Sequence, residues 1–244
     1  MIVVKIGGSE GIDLDAVCDD AAALARDRVR MVLVHGGSYR TNELSRQLGH
    51  APEFLVSPSG YTSRRTDART LEIFTMACAG LVNKTLVTGL QRRGVRAVGL
   101  AGVDGPVWTG PRKRAVRAVS RGRTCVVRDD FTGTVEHVDS RLLERLVDDG
   151  YLPVLSPPAL SLDGEAINVD ADRAAAATAA ALGARELVIL SNVAGLLRDV
   201  RDPQSVIARI PRDGLDEGAA FAGGRMRTKL LGAREALAGG VRRV

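Results

Sequence analysis

Cysteine, histidine and aromatic residues are all scarce in this chain of 244 residues. Its three cysteines and three histidines are scattered, and no CxxC pair occurs. That spacing supports neither a disulfide framework nor a zinc site, so we expect a protein of the reducing cytoplasm with no metal ligands of its own. Aromatic residues make up 3% of the sequence, which leaves few rings on which nucleic-acid bases could stack.

Long apolar runs are also absent. No stretch reaches the roughly 18 consecutive apolar residues that a membrane span requires. The first ten residues, MIVVKIGGSE, lack the basic start and apolar core of a secretory signal. A hydrophobic content of 45% and a charged content of 26% are ordinary for a globular protein that buries a substantial core.

Short apolar runs alternate with helical patterns along the chain. Strands are predicted at Ile2–Ile6, Arg30–His35, Ala97–Gly102, Leu152–Ser156 and Glu186–Asn192, and helices near Asp13–Arg26, Tyr39–Leu48, Thr66–Arg92, Ser140–Asp148, Asp170–Leu182 and Arg225–Leu237. The alternation predicts an α/β fold with helices on both faces of a mainly parallel sheet. Residues Val107–Val138 break it and are predicted to form an antiparallel hairpin.

Two glycine pairs each follow a predicted strand and precede a helix. Gly7-Gly8 and Gly36-Gly37 should therefore lie at the carboxyl edge of the sheet, where ligands bind in such folds. Glycine lets backbone amides approach an anion closely, although each pair could also be a simple tight turn. Lys5 strengthens the first reading, because an ammonium group in an apolar strand is costly to bury without an anionic partner.

Five ordered motifs resemble those of the amino acid kinase family, and within it the acetylglutamate kinase branch. They are VVKIGGS, VLVHGGS, NVDADRAAAATAAALGA, LVILSNVAGLL and GGRMRTKLLGAREA, and they span nearly the whole chain. The resemblance implies a three-layer αβα sandwich around the parallel sheet. It also implies an N-terminal lobe, residues 1–160, that binds the acceptor, and a C-terminal lobe, residues 161–244, that binds ATP.

By resemblance, the chain phosphorylates a carboxylate with ATP. Lys5 and Lys229 would approach the migrating phosphoryl group, Gly8 and Gly37 would donate amides to it, and Asp172 would hold the lysines. Asp172 could instead be an ordinary acid in the first turn of a helix. The implied acceptor site comprises Arg64, Asn168, Gly36 and Gly37, and the implied ATP site comprises Lys5, Gly7, Ser191, Asn192, Gly195, Leu196, Met226 and Lys229. We expect Mg²⁺ to be held mainly by the nucleotide phosphates, and so name no protein ligand for it.

The acceptor motifs depart from those of ordinary acetylglutamate kinases. The run Gly60–Arg64 is two residues longer than the usual Gly-x-Arg, and Asp170 stands where the second asparagine of Asn-x-Asn-x-Asp is usual. Both departures resemble the kinases of aminoadipate or glutamate linked to a small acidic carrier protein, LysW, in lysine or arginine biosynthesis. Asn192, where aspartate is more usual, is a third departure, on the ATP side. Arg65 is read as a surface charge beside Arg64.

The stretch Pro111–Asp130 carries seven cationic residues in a chain whose formal net charge is +5. We interpret it as a docking surface for the acidic carrier, formed by Arg112, Lys113, Arg114, Arg117, Arg121 and Arg123. A solvated charged hairpin and a nucleic-acid-binding module are the alternatives from the residues alone.

Several questions stay open at this level. Free N-acetylglutamate is the alternative substrate, and aminoadipate differs from glutamate by only one methylene. The family resemblance implies a homodimer, with the long predicted helix Thr66–Arg92 at its interface. It also implies a completed last strand and closing loop beyond GGVRRV.

Overall fold

The structure is a computed structural model that describes residues 1–120 and 123–244. Its strands are β1 (Ile2–Ile6), β2 (Met31–His35), β3 (Phe54–Val56), β4 (Thr62–Arg64), β5 (Ala97–Ala101), β6 (Trp108–Gly110), β7 (Val116–Ser120), β8 (Arg123–Val127), β9 (His137–Val138), β10 (Leu152–Ser156), β11 (Ala159–Ser161), β12 (Ala166–Ile167) and β13 (Glu186–Leu190). Its α-helices are α1 (Leu14–Arg26), α2 (Ser38–Gln47), α3 (Ala68–Thr75), α4 (Asn83–Arg92), α5 (Ser140–Asp148), α6 (Ala171–Ala181), α7 (Leu215–Ala219) and α8 (Gly224–Ala238).

The central sheet has the strand order β13-β1-β2-β10-β5, and every neighbouring pair is parallel. All residues of β2 and β10 are buried, because helices cover both faces of the sheet. The predicted α/β fold with a mainly parallel sheet is confirmed. This one sheet joins the two predicted lobes, since β13 lies directly beside β1.

Alternate side chains of the central strands enter two separate cores. Val4 and Ile6 pack with α1 and α4 on one face, whereas Val3 packs with α6 on the other. Lys5 shares the face of Val3, because side chains two apart in a strand point the same way. This alternation directs the Lys5 side chain toward α6.

A second, smaller sheet has the order β12-β11-β6-β9. It is anchored by the single tryptophan, Trp108, which is fully buried and donates a hydrogen bond from Nε1 to Thr178 Oγ1 at 2.9 Å. The antiparallel strands predicted for Val107–Val138 are present in two parts. β6 pairs antiparallel with β9 in the second sheet, and β7 and β8 form the hairpin.

The predicted helix Thr66–Arg92 begins two residues later and is not uniform. Asp67 caps α3 by accepting a hydrogen bond from the Thr70 amide, and a π-helical segment, Met76–Val82, separates α3 from α4. The continuous helix Ala68–Arg92 is long and apolar enough to cross a membrane by length and composition alone. Half of its most apolar window is buried within the fold, as in a core helix.

The predicted loop before this helix contains the antiparallel hairpin β3–β4. Its strands are only three residues long and mostly exposed, so they carry little apolar alternation for a sequence pattern to detect. Near the end of the chain, Arg243 forms an isolated parallel bridge with Glu186 of β13.

Candidate active site

Three loops meet at one edge of the central sheet. Ile6, the last residue of β1, lies in register with His35 of β2 and with Leu190 of β13. Gly7-Gly8, Gly36-Gly37 and Ser191-Asn192 follow these strand ends directly. The sequence motifs are thus brought together where a parallel sheet binds its ligands.

The two glycine pairs pack against each other with no room for side chains. A Cβ atom added to Gly8 would lie 2.4 Å from the backbone nitrogen of Gly37. The Gly8 carbonyl accepts hydrogen bonds from the Tyr39 amide at 2.7 Å and from Ser38 Oγ at 2.9 Å. Close backbone approach, and not positive φ, therefore explains the need for glycine at these positions. The packed loops form a cradle suited to an anion such as phosphate.

Two lysines share one carboxylate beside this cradle. Lys5 Nζ lies 2.7 Å from Asp172 Oδ1, and Lys229 Nζ lies 3.3 Å from Asp172 Oδ2. Lys5 is 4% exposed, and Asp172 is buried in the first turn of α6. Burial, together with repulsion from Lys5, lowers the pKa of Lys229. Two ammonium groups against one bridging carboxylate leave an excess of positive charge facing the glycine loops.

Arg64 ends β4 and points inward. Its Nη2 donates to Asn42 Oδ1 at 2.6 Å and to the Ser38 carbonyl at 3.2 Å, while its buried Nη1 has no hydrogen-bond partner among the described residues. Burial lowers the pKa of Arg64 to about 10, and the nearby Arg225 adds repulsion. A buried guanidinium nitrogen without a partner is costly, which indicates a place for an anionic ligand.

Arg65 turns the other way. It forms ion pairs with Glu53 at 2.8 Å and with Asp129 at 3.1 Å, and so connects two surface segments. The reading of Arg65 as a plain solvated charge overlooked these partners. The two adjacent arginines therefore contact different parts of the chain.

Asn168 is held near the acceptor end of the site. Its Nδ2 donates to Thr66 Oγ1 at 2.9 Å, and its backbone carbonyl accepts from the Gly133 amide at 2.9 Å. Thr66 lies two residues beyond Arg64 and is itself fixed by the buried carboxylate of Asp130. The Oδ1 atom of Asn168 makes no hydrogen bond with the described residues.

The loop after β13 and the start of α8 carry several of the residues predicted to bind ATP. Asn192 Nδ2 donates to the Glu10 carbonyl at 3.0 Å, which ties the loop after β13 to the loop after β1. Gly195 has a φ of +155°, which only glycine adopts readily, and it turns the chain toward the buried Leu196. Met226 lies half-buried in the first turn of α8, three residues before Lys229.

Arg225 was missed by the sequence reasoning. Its Nη1 lies 2.8 Å from Ser9 Oγ and 3.4 Å from Ser38 Oγ, so it reaches both glycine loops from α8. The signal was present, because Arg225 precedes Lys229 by four residues and therefore shares its helix face.

The basic hairpin β7–β8 presents most of its predicted docking residues to solvent. Lys113, Arg117 and Arg123 are exposed, and the side chain of Arg114 is 85% exposed beside Asp163. Arg121 lies outside the described residues.

Arg112, also predicted to dock the carrier, has partners within the chain. Its guanidinium lies 3.6 Å from the centroid of the Phe131 ring, bonds to the Asp130 carbonyl and pairs with Glu165. The Arg112 side chain is only 17% exposed, so its charge is largely committed within the chain.

A groove of about 650 Å³ separates the β7–β8 hairpin from the β3–β4 hairpin. Phe54, Leu55, Cys125 and Val126 are among its lining residues. Phe54 also lies with its ring centroid 5.2 Å from the Arg64 guanidinium carbon. Phe54 thus lies between this groove and Arg64.

Comparison with known proteins identifies the wider group. The profile of the amino acid kinase family matches residues 1–244. A LysW-aminoadipate kinase of Deinococcus radiodurans is 57% identical over 244 residues, covering 100% of this chain and 84% of that relative. A LysW-aminoadipate kinase of Thermus thermophilus is 52% identical, covering 100% of this chain and 91% of that relative. A Streptococcus mutans crystal structure shares the fold with a TM-score of 0.78 at 24% identity, covering 98% of this chain and 91% of that one.

Proposed function

Because the chain belongs to the amino acid kinase family, we propose that it transfers the γ-phosphoryl group of ATP to the side-chain carboxylate of α-aminoadipate linked to an acidic carrier protein. The product would be an acyl phosphate in lysine biosynthesis. Two relatives that are 57% and 52% identical to this chain carry the name of that activity. The observation that carries the chemistry is the Lys5–Asp172–Lys229 bridge beside the packed glycine loops.

The acceptor needs charge neutralisation more than it needs a base. An aliphatic carboxylate titrates near pH 4 and is already ionised at neutral pH, so no proton has to be removed. Lys5 and Lys229 would neutralise phosphoryl oxygens, and the amides of Gly8 and Gly37 would bind the same group. Asp172 would orient both ammonium groups toward it. Mg²⁺ bound mainly by the nucleotide phosphates would supply further neutralisation.

The residues around Arg64 suit the α-carboxylate of the acceptor. Arg64 would bind it through the Nη1 atom that has no other partner, and Asn168 would accept a hydrogen bond from the α-amide N–H. The Oδ1 atom of Asn168 is available for this, because only its Nδ2 is bonded to Thr66. On the other side of the lysines, Gly7, the Ser191–Leu196 loop and Met226 would bind the nucleotide. Most of the acceptor residues lie in the proposed lobe of residues 1–160 and most of the nucleotide residues in that of residues 161–244, with Asn168 and Gly7 as the exceptions.

The carrier would dock on the exposed cations of the β7–β8 hairpin. Lys113, Arg114, Arg117 and Arg123 offer a cationic surface. The groove beside them is lined by Phe54, whose ring lies against Arg64. An acidic protein would be steered to this surface by long-range electrostatics. A substrate at the end of a carrier arm could then reach the acceptor site along the groove.

The proposal includes a homodimer in the cytoplasm. Met76 and Leu81 of the π-helical segment are 45% and 52% exposed, so this segment offers apolar surface to a second copy of the chain. All three cysteines are free thiols, in keeping with a reducing compartment.

A phosphotransfer assay tests the function directly. The purified chain is given ATP with carrier-linked aminoadipate, carrier-linked glutamate or free N-acetylglutamate, and the acyl phosphate is trapped with hydroxylamine. We expect kcat/KM for carrier-linked aminoadipate to exceed that for carrier-linked glutamate by about 10-fold or more, the usual worth of one methylene. Efficient turnover of free N-acetylglutamate, with no gain from the carrier, would contradict the proposal.

A further inference from the structure

Arg225 occupies a position at the reacting edge that the proposed roles do not account for. It stands in the first turn of α8, and its guanidinium crosses to the loops that follow β1 and β2. Its two partners are Ser9, which follows Gly8, and Ser38, which follows Gly37. One side chain therefore spans both loops whose amides face the anion cradle.

The partners of Arg225 are weak ones for a permanent charge. Serine hydroxyls are neutral, and within residues 1–120 and 123–244 no carboxylate forms an ion pair with Arg225. Lys5 and Lys229 share Asp172, whereas Arg64 and Arg225 repel each other and lower the pKa of Arg64. A guanidinium held by neutral hydroxyls beside another cation gains more from an anion than from its present contacts.

Helix geometry places this charge beside Lys229. Residues four apart on an α-helix lie on the same face, so Arg225 and Lys229 face the same edge of the sheet. Lys229 reaches the carboxylate behind the cradle, and Arg225 reaches the serines at its rim. Arg225 and Arg64 both contact Ser38, Arg225 at its hydroxyl and Arg64 at its backbone carbonyl. Arg225 therefore approaches Arg64 at Ser38 and shares a helix face with Lys229.

We propose that Arg225 is a third cationic contact of the transferred phosphoryl group, held between the two glycine loops by Ser9 and Ser38 until that group is bound. This inference rests on the proposed phosphotransfer. Phosphoryl transfer spreads charge over three equatorial oxygens, and a planar guanidinium can contact two of them at once. Lys5 and Lys229, as point charges, contact one oxygen each. In a purely structural role, Arg225 would only hold α8 against the two loops, whether or not nucleotide is bound. The proposed role differs because it requires the γ-phosphate.

The test uses Arg225→Met, Arg225→Lys and the control Arg234→Met. Arg234 lies on the same helix and pairs with Asp216 away from the cradle. We expect Arg225→Met to lower kcat about 100-fold, the usual cost of one donor to a transition-state oxyanion. Arg225→Lys should recover part of that loss, and Arg234→Met should change kcat less than about twofold, as expected for a surface substitution.

Nucleotide affinity separates a phosphate contact from a structural one. Calorimetry should show that Arg225→Met weakens binding of the ATP analogue AMP-PNP about 10-fold, the usual cost of a lost charge-assisted contact, while ADP affinity stays the same. Equal losses for AMP-PNP and ADP, or kcat values matching those of Arg234→Met, would overturn the inference. The calorimetric result does not depend on the acceptor. A wild-type chain inactive on carrier-linked substrates would therefore refute the proposed function alone.

Discussion

The imidazole of His35 connects the core with the anion cradle. It is fully buried at the end of β2, and its Nδ1 lies 3.0 Å from the Gly36 carbonyl. That contact requires the proton on Nδ1, so Nε2 accepts the hydrogen bond from Asn83 Nδ2 at 3.1 Å. The ring thereby holds one glycine loop from behind. Burial lowers the pKa of His35 to about 4, with smaller contributions from Lys5 and Lys84.

This depressed pKa predicts a loss of stability in mild acid. Unfolded His35 gains a proton below about pH 6.5, whereas the folded protein resists protonation until about pH 4. Its stabilising contribution is therefore complete above pH 6.5 and falls as the pH drops toward 4. Between pH 6.5 and pH 5 the loss amounts to about 2 kcal/mol, at about 1.4 kcal/mol per pH unit.

The measurement is the free energy of unfolding in urea at several pH values, for wild type and His35→Gln. Other titrating groups are common to both proteins, so the difference between the two pH profiles isolates His35. The glutamine variant is expected to be less stable at pH 7 but to have a shallower slope. Parallel profiles for the two proteins would contradict the buried neutral imidazole.

At the scale of elements, the β7–β8 hairpin exposes cationic side chains to solvent. Arg117 lies opposite Val126 in the ladder, and Val126 is exposed, so this face offers both charge and apolar surface. We expect Arg114→Glu combined with Arg117→Glu to raise KM for carrier-linked aminoadipate at least about 10-fold, since each reversal turns attraction into repulsion. KM for ATP should not change, because the nucleotide residues lie on the other side of the lysines.

The matched control for the hairpin is Arg141→Glu combined with Arg145→Glu on α5. It alters the net charge equally, at two exposed positions of another element. Initial rates are also measured at two salt concentrations. Salt should raise the wild-type KM for the carrier-linked substrate by screening the hairpin charges, and it should not raise that KM for the hairpin variant. If both double variants raise KM for carrier-linked aminoadipate equally, the effect comes from net charge, and the hairpin is not the docking surface.

Elements also differ in how well a pattern predicts them. β1, β2, β10 and β13 were found from their apolar runs within two residues of their observed ends, because burial on both faces demands such runs. The π-helical segment was missed, since its extra residue per turn changes only the hydrogen bonding and leaves a helical apolar pattern. The β3–β4 hairpin was missed because exposed strands need no apolar residues.

For the whole molecule, the apolar π-helical surface predicts self-association. Met76 and Leu81 both lie in this segment and are 45% and 52% exposed. We expect size-exclusion chromatography with light scattering to show a dimer for wild type and a monomer for Leu81→Arg. Val200→Arg is the control, because Val200 is also exposed but lies on another surface. A dimer that survives Leu81→Arg would place the interface elsewhere.

The local sequence pattern by itself predicted the strand ends, the glycine pairs and the lysine in β1. These features depend on periodicity and backbone sterics, which act between residues that are near neighbours in the chain. Family resemblance added the roles proposed for Asp172, Arg64 and Asn168. The direction in which each arginine side chain points was decided only by the tertiary structure. Arg112 is held by Glu165, and Arg225 meets Ser38 from 187 residues away, so such contacts leave no mark in the local sequence. The net charge of a chain is the sum of its residues and can be read from the sequence. Whether one charged side chain is free to bind a ligand depends on the distant residues that the fold places beside it.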